Sequence, residues 1–354
     1  MRWAGAAAAL LAAVLPGTAR GYVRTTDACT AVCLYWSSRT VTWVLNEQGS
    51  WSAPTCAANA ALAAAQASFA EWSQGCTDLR LVYGGTTPEI RVGYDRGGAN
   101  ENLVVFRHGP CEQHVDASDP CWKNHSCGSA HDCWEGGPEV IAYTTVTYSQ
   151  RTGEILDADV EVDDWGGDPG ALPAAPGGQT AVPDGYYFTC TPPPGGSSVP
   201  SLCAAYGDSG CAYMDAQNTV THEVGHFIGL DHTPRNAICA APGDPSLPCA
   251  DTTMYPDARP REISKRILSA DDVAGLCAIY PAGGSTATCR ATNVEKCLGG
   301  CGCGAAGPAG LLALLGVVAV APRRRPPGAA RRRGVESGGA RGTARRGQRT
   351  TTPA

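Results

Sequence analysis

The sequence predicts an α+β domain held together by disulfide bonds, on three observations. Several stretches rich in β-branched residues alternate apolar and polar positions, which is typical of half-buried strands. Two other stretches place apolar residues at intervals of three and four, which is typical of amphipathic helices. The 354 residues include 44 Gly, 26 Pro and 18 Cys, which indicates a loop-rich fold cross-linked in an oxidising compartment.

The first residues of the chain predict an export signal. MRWAGAAAALLAAVLPGTAR has an early arginine, an apolar run and then small residues, the pattern of a signal peptide removed after residue 19. A membrane anchor is the less favoured alternative, because the apolar run is too short to cross a bilayer. We therefore expect an exported protein, either secreted or kept at the cell surface or outer envelope.

A strand, a helix and further strands follow in order. RTVTWVLNEQ (39–48) alternates as a strand does, and residues 54–74 predict an amphipathic helix. Its apolar face consists of Leu62, Ala65, Phe69 and Trp72. Cys56 and Cys76 flank that helix about 30 Å apart, too far to pair with each other. Further strands are predicted at residues 79–83, 89–94, 103–107, 140–149 and 154–164.

Two insertions interrupt the pattern, at residues 108–134 and 166–213. The first holds four His and four Cys, with spacings of nine, five and five residues between the cysteines and no CxxC pair. Disulfides are therefore favoured over a second zinc site. The cysteines concerned are Cys111, Cys121, Cys127 and Cys133. The second insertion is rich in Gly and Pro and reads as a disulfide-tethered loop.

The strand EILDADVEVDD has one acidic and one apolar face. Its acidic face consists of Asp157, Asp159, Glu161 and Asp163. We expect a half-exposed strand with a solvated acidic face, and calcium ligation by some of these carboxylates is the alternative.

The stretch THEVGHFIGLDHT predicts a metal site. In a helix His222 and His226 lie one turn apart on the same face, so both imidazoles can reach one ion. Gly229 allows the chain to leave the helix and turn back, which brings His232 in as a third ligand. Three imidazoles with an open position suit one catalytic zinc, and Glu223 is placed to act as general base toward a zinc-bound water.

Two later stretches complete this domain, which we place at residues 20–281. DTTMYP contains Met254, and LSADDVAGLCAIYP predicts a helix with Ser269 as N-cap and Asp271 and Asp272 in its first turn. HEVGHFIGLDH followed by Met254 resembles the signature of the metzincin metallopeptidases, HExxHxxGxxH with a downstream Met-turn. From Arg39 onward the order of elements resembles the matrixin family.

The resemblance implies a fold, a site and an activity. The fold would be a twisted, mostly parallel sheet with an antiparallel edge strand near residues 140–147, packed by the active-site helix, with a small C-terminal subdomain. Met254 would form the floor beneath the zinc ligands, and a peptide substrate would pair along the edge strand. The activity implied is hydrolysis of peptide bonds in extracellular proteins by a monomeric endopeptidase.

The sequence departs from the matrixin pattern in three places. The residues before Arg39 carry no PRCGxxD-like motif, so the inhibitory cysteine of matrixin zymogens is not expected. The strands at 140–149 and 154–164 lack the histidines that hold a structural zinc in matrix metalloproteinases, so a single zinc is expected. Tyr255 and the next residues lack the Pro-x-Tyr wall of the specificity pocket, so cleavage preference does not carry over. The group that stabilises the oxyanion besides zinc is open, with Tyr255 and the four histidines of the first insertion as candidates.

The C-terminal part is built differently. Residues 282–304 form a Cys-containing linker, and residues 305–322 are uncharged and apolar, which predicts a transmembrane or sorting segment that places the body outside. Residues 323–354 hold ten Arg and one Glu, a net charge of +9, and we expect this tail to be disordered. The whole chain has a net charge of −6, so residues 1–322 carry −15. CGCG, the apolar span and the Arg cluster resemble MYXO-CTERM surface-sorting tails, with a plain membrane anchor as the alternative.

Other functional classes are weighed against the peptidase. The acidic body argues against nucleic acid as a partner. A surface binding or adhesion protein on the same scaffold, without turnover, is the first alternative, although the glutamate and all three histidines are present. A metal-storage protein is the second alternative, and it would hold more than one zinc per chain.

Overall fold

The computed structural model describes most of the predicted domain and one strand beyond it. The described residues are 21–50, 56, 58–137, 140–164, 186–190, 213–235, 249–259, 262–289 and 311–320. The predicted signal peptide, most of the insertion at 166–213 and the Arg-rich tail at 323–354 lie outside these residues.

The described residues form both strands and helices. The strands are β1 (Val23–Arg24), β2 (Thr40–Asn46), β3 (Arg80–Thr87), β4 (Asn102–His108), β5 (Val140–Ser149), β6 (Ile155–Asp164), β7 (Tyr187–Thr189), β8 (Tyr213–Asp215), β9 (Leu230–Asp231), β10 (Asp257–Ala258) and β11 (Leu311–Val320). The helices are α1 (Ala58–Glu71), α2 (Cys111–His114), α3 (Cys121–Asn124), α4 (Cys127–His131), α5 (Ala216–Phe227) and α6 (Ala270–Ile279).

One sheet organises the domain, in the order β10-β11-β5-β6-β4-β2-β3. Strands β3, β2, β4 and β6 run parallel to one another, and β5 runs antiparallel to β6. The predicted mixture of helices with a mostly parallel sheet is therefore confirmed. The expected edge position of β5 is wrong, because β11 pairs antiparallel along its outer side.

Helices α1 and α5 pack together against the sheet. Phe69 of α1 stacks on Trp43 of β2 with ring centroids 4.0 Å apart, and meets Phe227 of α5 edge-on at 5.4 Å. The indole N–H of Trp72 donates to the main-chain oxygen of Thr221 in α5 at 3.0 Å. The apolar face predicted for α1 is therefore the face that holds α5 in place, and α5 carries the HEVGH stretch.

Disulfide bonds tie the described elements together, which is typical of proteins in an oxidising compartment. Cys56 and Cys76 do not pair with each other, as expected, but with Cys190 and Cys277. The cysteines of the first insertion form disulfides, as predicted, and the structure pairs Cys111 with Cys133 and Cys121 with Cys127.

The domain continues past the boundary predicted at residue 281. The Ala282 N–H donates to the Cys76 oxygen at 2.9 Å, and the Ala287 N–H donates to the Ile279 oxygen at 2.8 Å. Cys289 forms a disulfide with Cys33. The first part of the predicted linker is therefore fixed to the domain.

Two expectations fail in the region of β3, β4 and β6. Residues 89–94 form a loop instead of a strand, because the Glu89 carboxylate accepts the N–H groups of Ile90 and Arg91, and Gly93 takes φ +93°. The acidic face of β6 is buried instead of solvated. Asp159 accepts the N–H groups of Gly93 and Leu103 at 2.6 and 2.8 Å.

The buried acids of β6 either have raised pKa values or are paired. Burial raises the pKa of Asp157 to about 6, and burial together with Asp157 raises the pKa of Asp159 well above its ordinary value. Glu161 forms an ion pair with the fully buried Arg107 of β4 at 2.6 Å. Burial, with Asp164 beside it, also raises the pKa of Asp163. Calcium ligation on this face stays a prediction.

The apolar segment predicted at 305–322 also differs from its expected form. Its residues 311–320 form the strand β11. A short aliphatic run with several valines is compatible with either a helix or a buried strand, and periodicity cannot separate the two. Among the described residues no helix is both long and apolar enough to cross a membrane.

Candidate metal centre

Helix α5 is fixed at its start by Asp215. The Asp215 side chain accepts the N–H of Asn218 at 2.8 Å, as an N-cap does. The same carboxylate binds the guanidinium of Arg266 through two hydrogen bonds of 2.8 and 2.6 Å. The first turn of α5 is therefore tied to the segment before α6, and this fixes the direction in which His222 and His226 project.

The chain reverses directly after α5. Gly229 has φ +95°, and a Cβ placed there would lie 2.6 Å from the Leu34 oxygen. Only glycine meets both conditions without strain. Its oxygen accepts the N–H of Thr25 at 2.9 Å, and β9 then pairs with β1. This turn brings His232 back toward the helix, as the spacing predicts.

The three histidines meet at one point. The Nε2 atoms of His222, His226 and His232 lie 3.2 Å from one another along all three sides of a triangle. Ligands about 2.0–2.1 Å from one zinc ion in tetrahedral geometry are about 3.3 Å apart. The three nitrogens therefore fit a single zinc ion with little adjustment.

The remaining ring nitrogens orient the imidazoles. His222 Nδ1 lies 2.5 Å from the Thr253 oxygen, and His226 Nδ1 lies 2.8 Å from the Leu230 oxygen. A protonated Nδ1 at each contact leaves Nε2 with a free lone pair. Burial lowers the pKa of His226, and burial together with Lys265 lowers the pKa of His222 well below its usual range. Both imidazoles are therefore neutral, as metal ligands must be.

Met254 packs against helix α5 at Gly225. It is fully buried, and a Cβ added at Gly225 would lie 2.1 Å from its sulfur. Asp272 of α6 holds the turn, since its carboxylate accepts the N–H groups of Thr253 and Met254 at 2.8 and 3.2 Å. The sequence predicts Asp272 only as a first-turn acid of α6. Its support of the Met254 turn depends on a tertiary contact.

Glu223 is positioned by Thr144, a residue that no sequence motif indicates. The Thr144 hydroxyl of β5 lies 2.7 Å from Glu223 Oε2 and 3.0 Å from the Glu223 main-chain oxygen. Both residues are fully buried. The alternation in AYTTVTY predicts that Thr144 lies on one face of a strand, but no local signal indicates which helix that face meets.

Lys265 is a second residue near the site that no sequence motif indicates. It is fully buried, and its ammonium donates to the main-chain oxygens of Tyr255 and Asp257 at 2.5 and 2.9 Å. Burial lowers its pKa to about 8. Lysine is normally found at the surface, so its sequence position carries no signal for this role. Lys265 fixes the segment that follows Met254, and Tyr255 contributes its main-chain oxygen to that contact.

The histidines of the first insertion do not join the metal centre. One other group of neighbouring ligand atoms occurs in the described part of the chain, formed by Asp119, Cys121 and His131. Cys121 is bonded to Cys127, so its sulfur is not available as a thiolate ligand. The described residues thus offer one complete set of zinc ligands.

No protein-family model matches this sequence, and no curated protein matches it.

Proposed function

We propose that the protein is an exported zinc-dependent endopeptidase of the matrixin-like metzincin type, hydrolysing peptide bonds of extracellular proteins. The observation that carries the proposal is the triangle of Nε2 atoms 3.2 Å apart, with Glu223 directly following the first ligand. The packing of Met254 against α5 and the disulfides of the domain also support it.

His222, His226 and His232 would hold the zinc ion. When bound, zinc lowers the pKa of a coordinated water to about 7 and polarises the carbonyl of the peptide bond. The main-chain oxygens at the Nδ1 atoms keep two of the rings in one orientation, so the set is organised before an ion arrives.

Glu223 would carry the proton transfers. Its carboxylate takes a proton from the attacking water and delivers it to the amine nitrogen of the cleaved bond. The Thr144 hydroxyl can donate to Oε2, which holds the carboxylate against β5 and favours its ionised form. Thr144 is therefore a positioning residue that acts through Glu223.

The test compares Glu223→Gln with wild type, with Glu101→Gln as a control at an exposed site. We expect Glu223→Gln to keep one zinc per chain and to lose about 10²- to 10⁴-fold in chelator-sensitive hydrolysis of a peptide library. The control should keep both properties. Hydrolysis by Glu223→Gln at the wild-type rate would refute the role of Glu223.

A further inference from the structure

Strand β11 lies in a slot between two parts of the candidate site. On one side it runs antiparallel to β5, with Leu311 opposite Ser149 and Ala319 opposite Val140. On the other side it runs parallel to β10, with Ala319 beside Asp257 and Val320 beside Ala258. An extended backbone in this slot thus has partners on both sides.

The slot passes the candidate metal centre. Gly316 is the register partner of Thr144, and the Thr144 hydroxyl lies 2.7 Å from Glu223 Oε2. Helix α5, which carries His222 and Glu223, also contacts β11. On the other side of the slot, β10 begins three residues after Met254, and the Lys265 ammonium donates to the main-chain oxygen of Asp257 in β10 at 2.9 Å. The middle of β11 is therefore level with the residues proposed to do the chemistry.

We propose that residues 311–320 of the chain occupy this slot as a ligand in cis, in the place where the proposed function puts an extended peptide substrate. LLALLGVVAV contains no charged or polar side chain and no proline, so every residue can pair through its backbone. A bound β11 excludes substrate from the same slot and would therefore hold the enzyme inactive. This regulatory part of the inference rests on the proposed function.

The tether makes this ligand effective. The chain is fixed at Cys289 by its disulfide with Cys33, and residues 290–310 then connect to β11. Fully extended, such a connection reaches about 70 Å, far enough to span a domain. Because β11 and the slot belong to one chain, β11 binds in an intramolecular step, and a free peptide of equal affinity must be supplied at a high concentration to compete. Withdrawal of β11, whether by cleavage of the linker or by insertion into a membrane, opens the slot.

The experiment uses the full chain with Leu314→Pro/Leu315→Pro, and Leu314→Ala/Leu315→Ala as the matched control. Adjacent residues of a strand direct their N–H groups to opposite neighbours, so one of the two prolines removes a donor facing β5. The alanine pair keeps both donors. Hydrogen exchange of a peptide covering β5, zinc content and peptide hydrolysis are measured on each protein.

The proline pair should increase amide exchange in β5 at least tenfold and increase hydrolysis of an added peptide at least tenfold, with zinc content unchanged. The alanine pair should stay within twofold of wild type in exchange. A soluble peptide, KKLLALLGVVAVKK, should inhibit the proline variant, whereas a version with Asp in place of its Gly should not.

Unchanged exchange in β5 and unchanged hydrolysis in the proline pair would overturn the proposal. Increased exchange without hydrolysis in any variant would support the cis ligand and refute the peptidase, leaving a surface binding protein. The two proposals therefore fail in distinguishable ways.

Discussion

The contact between Gly225 and Met254 allows the support of the metal centre to be tested by substitution. A Cβ at position 225 would lie 2.1 Å from the Met254 sulfur, 2.9 Å from its methyl carbon and 3.0 Å from Cζ2 of Trp72. Non-bonded heavy atoms prefer about 3.5–4.0 Å, so the first contact is about 1.5 Å too short. Gly225→Ala must therefore displace Met254, Trp72 or the helix itself.

The expected cost follows from two opposing effects. Overpacking a core costs about 1–3 kcal/mol, and alanine instead of glycine in a helix returns about 1 kcal/mol. Trp72 cannot move freely, because its indole N–H is bonded to Thr221. We therefore expect Gly225→Ala to lower the free energy of unfolding by up to about 2 kcal/mol and to weaken zinc binding. Met254→Ala should cost about 2–5 kcal/mol through the cavity it leaves.

The double variant is decisive. Removing the Met254 side chain relieves the clash, and the new methyl group fills part of the vacated space. The combined loss should be smaller than the sum of the two single losses by at least about 1 kcal/mol. Guanidinium unfolding with disulfides intact measures all four proteins, with Gly75→Ala, where nothing lies within 4 Å, as control. Strict additivity of the two losses would refute this account of the floor.

Three further predictions follow from buried polar groups. Thr144→Val should reduce hydrolysis about tenfold and shift the acidic limb of the pH–rate profile to higher pH, because the Glu223 carboxylate loses a hydrogen-bond donor. The control Thr145→Val should change neither the rate nor the profile. An unshifted acidic limb in Thr144→Val would contradict this role of Thr144. Asp157→Asn should stabilise the calcium-free protein at pH 7 by on the order of 1–3 kcal/mol. The pKa of Asp157 is raised to about 6, so the stability of the wild type falls as the pH rises from about 4 to 6. An equal difference in the free energy of unfolding between the two proteins at pH 4 and at pH 7, measured in urea, would contradict this prediction. Burial lowers the pKa of Lys265 to about 8, so between about pH 8 and 10 the unfolded chain binds more protons than the folded one. The Tm of the wild type should therefore rise with pH in this range relative to the Tm of Lys265→Met. Parallel Tm profiles of the two proteins would count against this prediction.

The parts of the site that sequence predicts are those set by local geometry. The i, i+4 spacing of His222 and His226, the turn at Gly229 and the N-cap at Ser269 each depend on a few neighbouring residues. Helix period and backbone conformation are local properties, so spacing alone indicates them.

The parts that sequence does not predict depend on distant partners. Thr144 meets Glu223 across 79 positions, and nothing in AYTTVTY indicates that contact. The acidic face of β6 looks solvated by its alternation, but Arg107 and the loop around Gly93 cover it. Strand β11 pairs with β5, whereas the apolar composition of the segment at 305–322 predicts a membrane or sorting segment. An aliphatic run is compatible with either a helix or a strand, so the sequence alone does not separate the two.

The most direct test of the central claim is the zinc content of the purified chain, measured by mass spectrometry under native conditions. We expect one zinc per chain in wild type and in Glu223→Gln, and none in a variant with His222, His226 and His232 all replaced by Ala. A wild-type chain without zinc, or one zinc retained after loss of all three histidines, would contradict the claim.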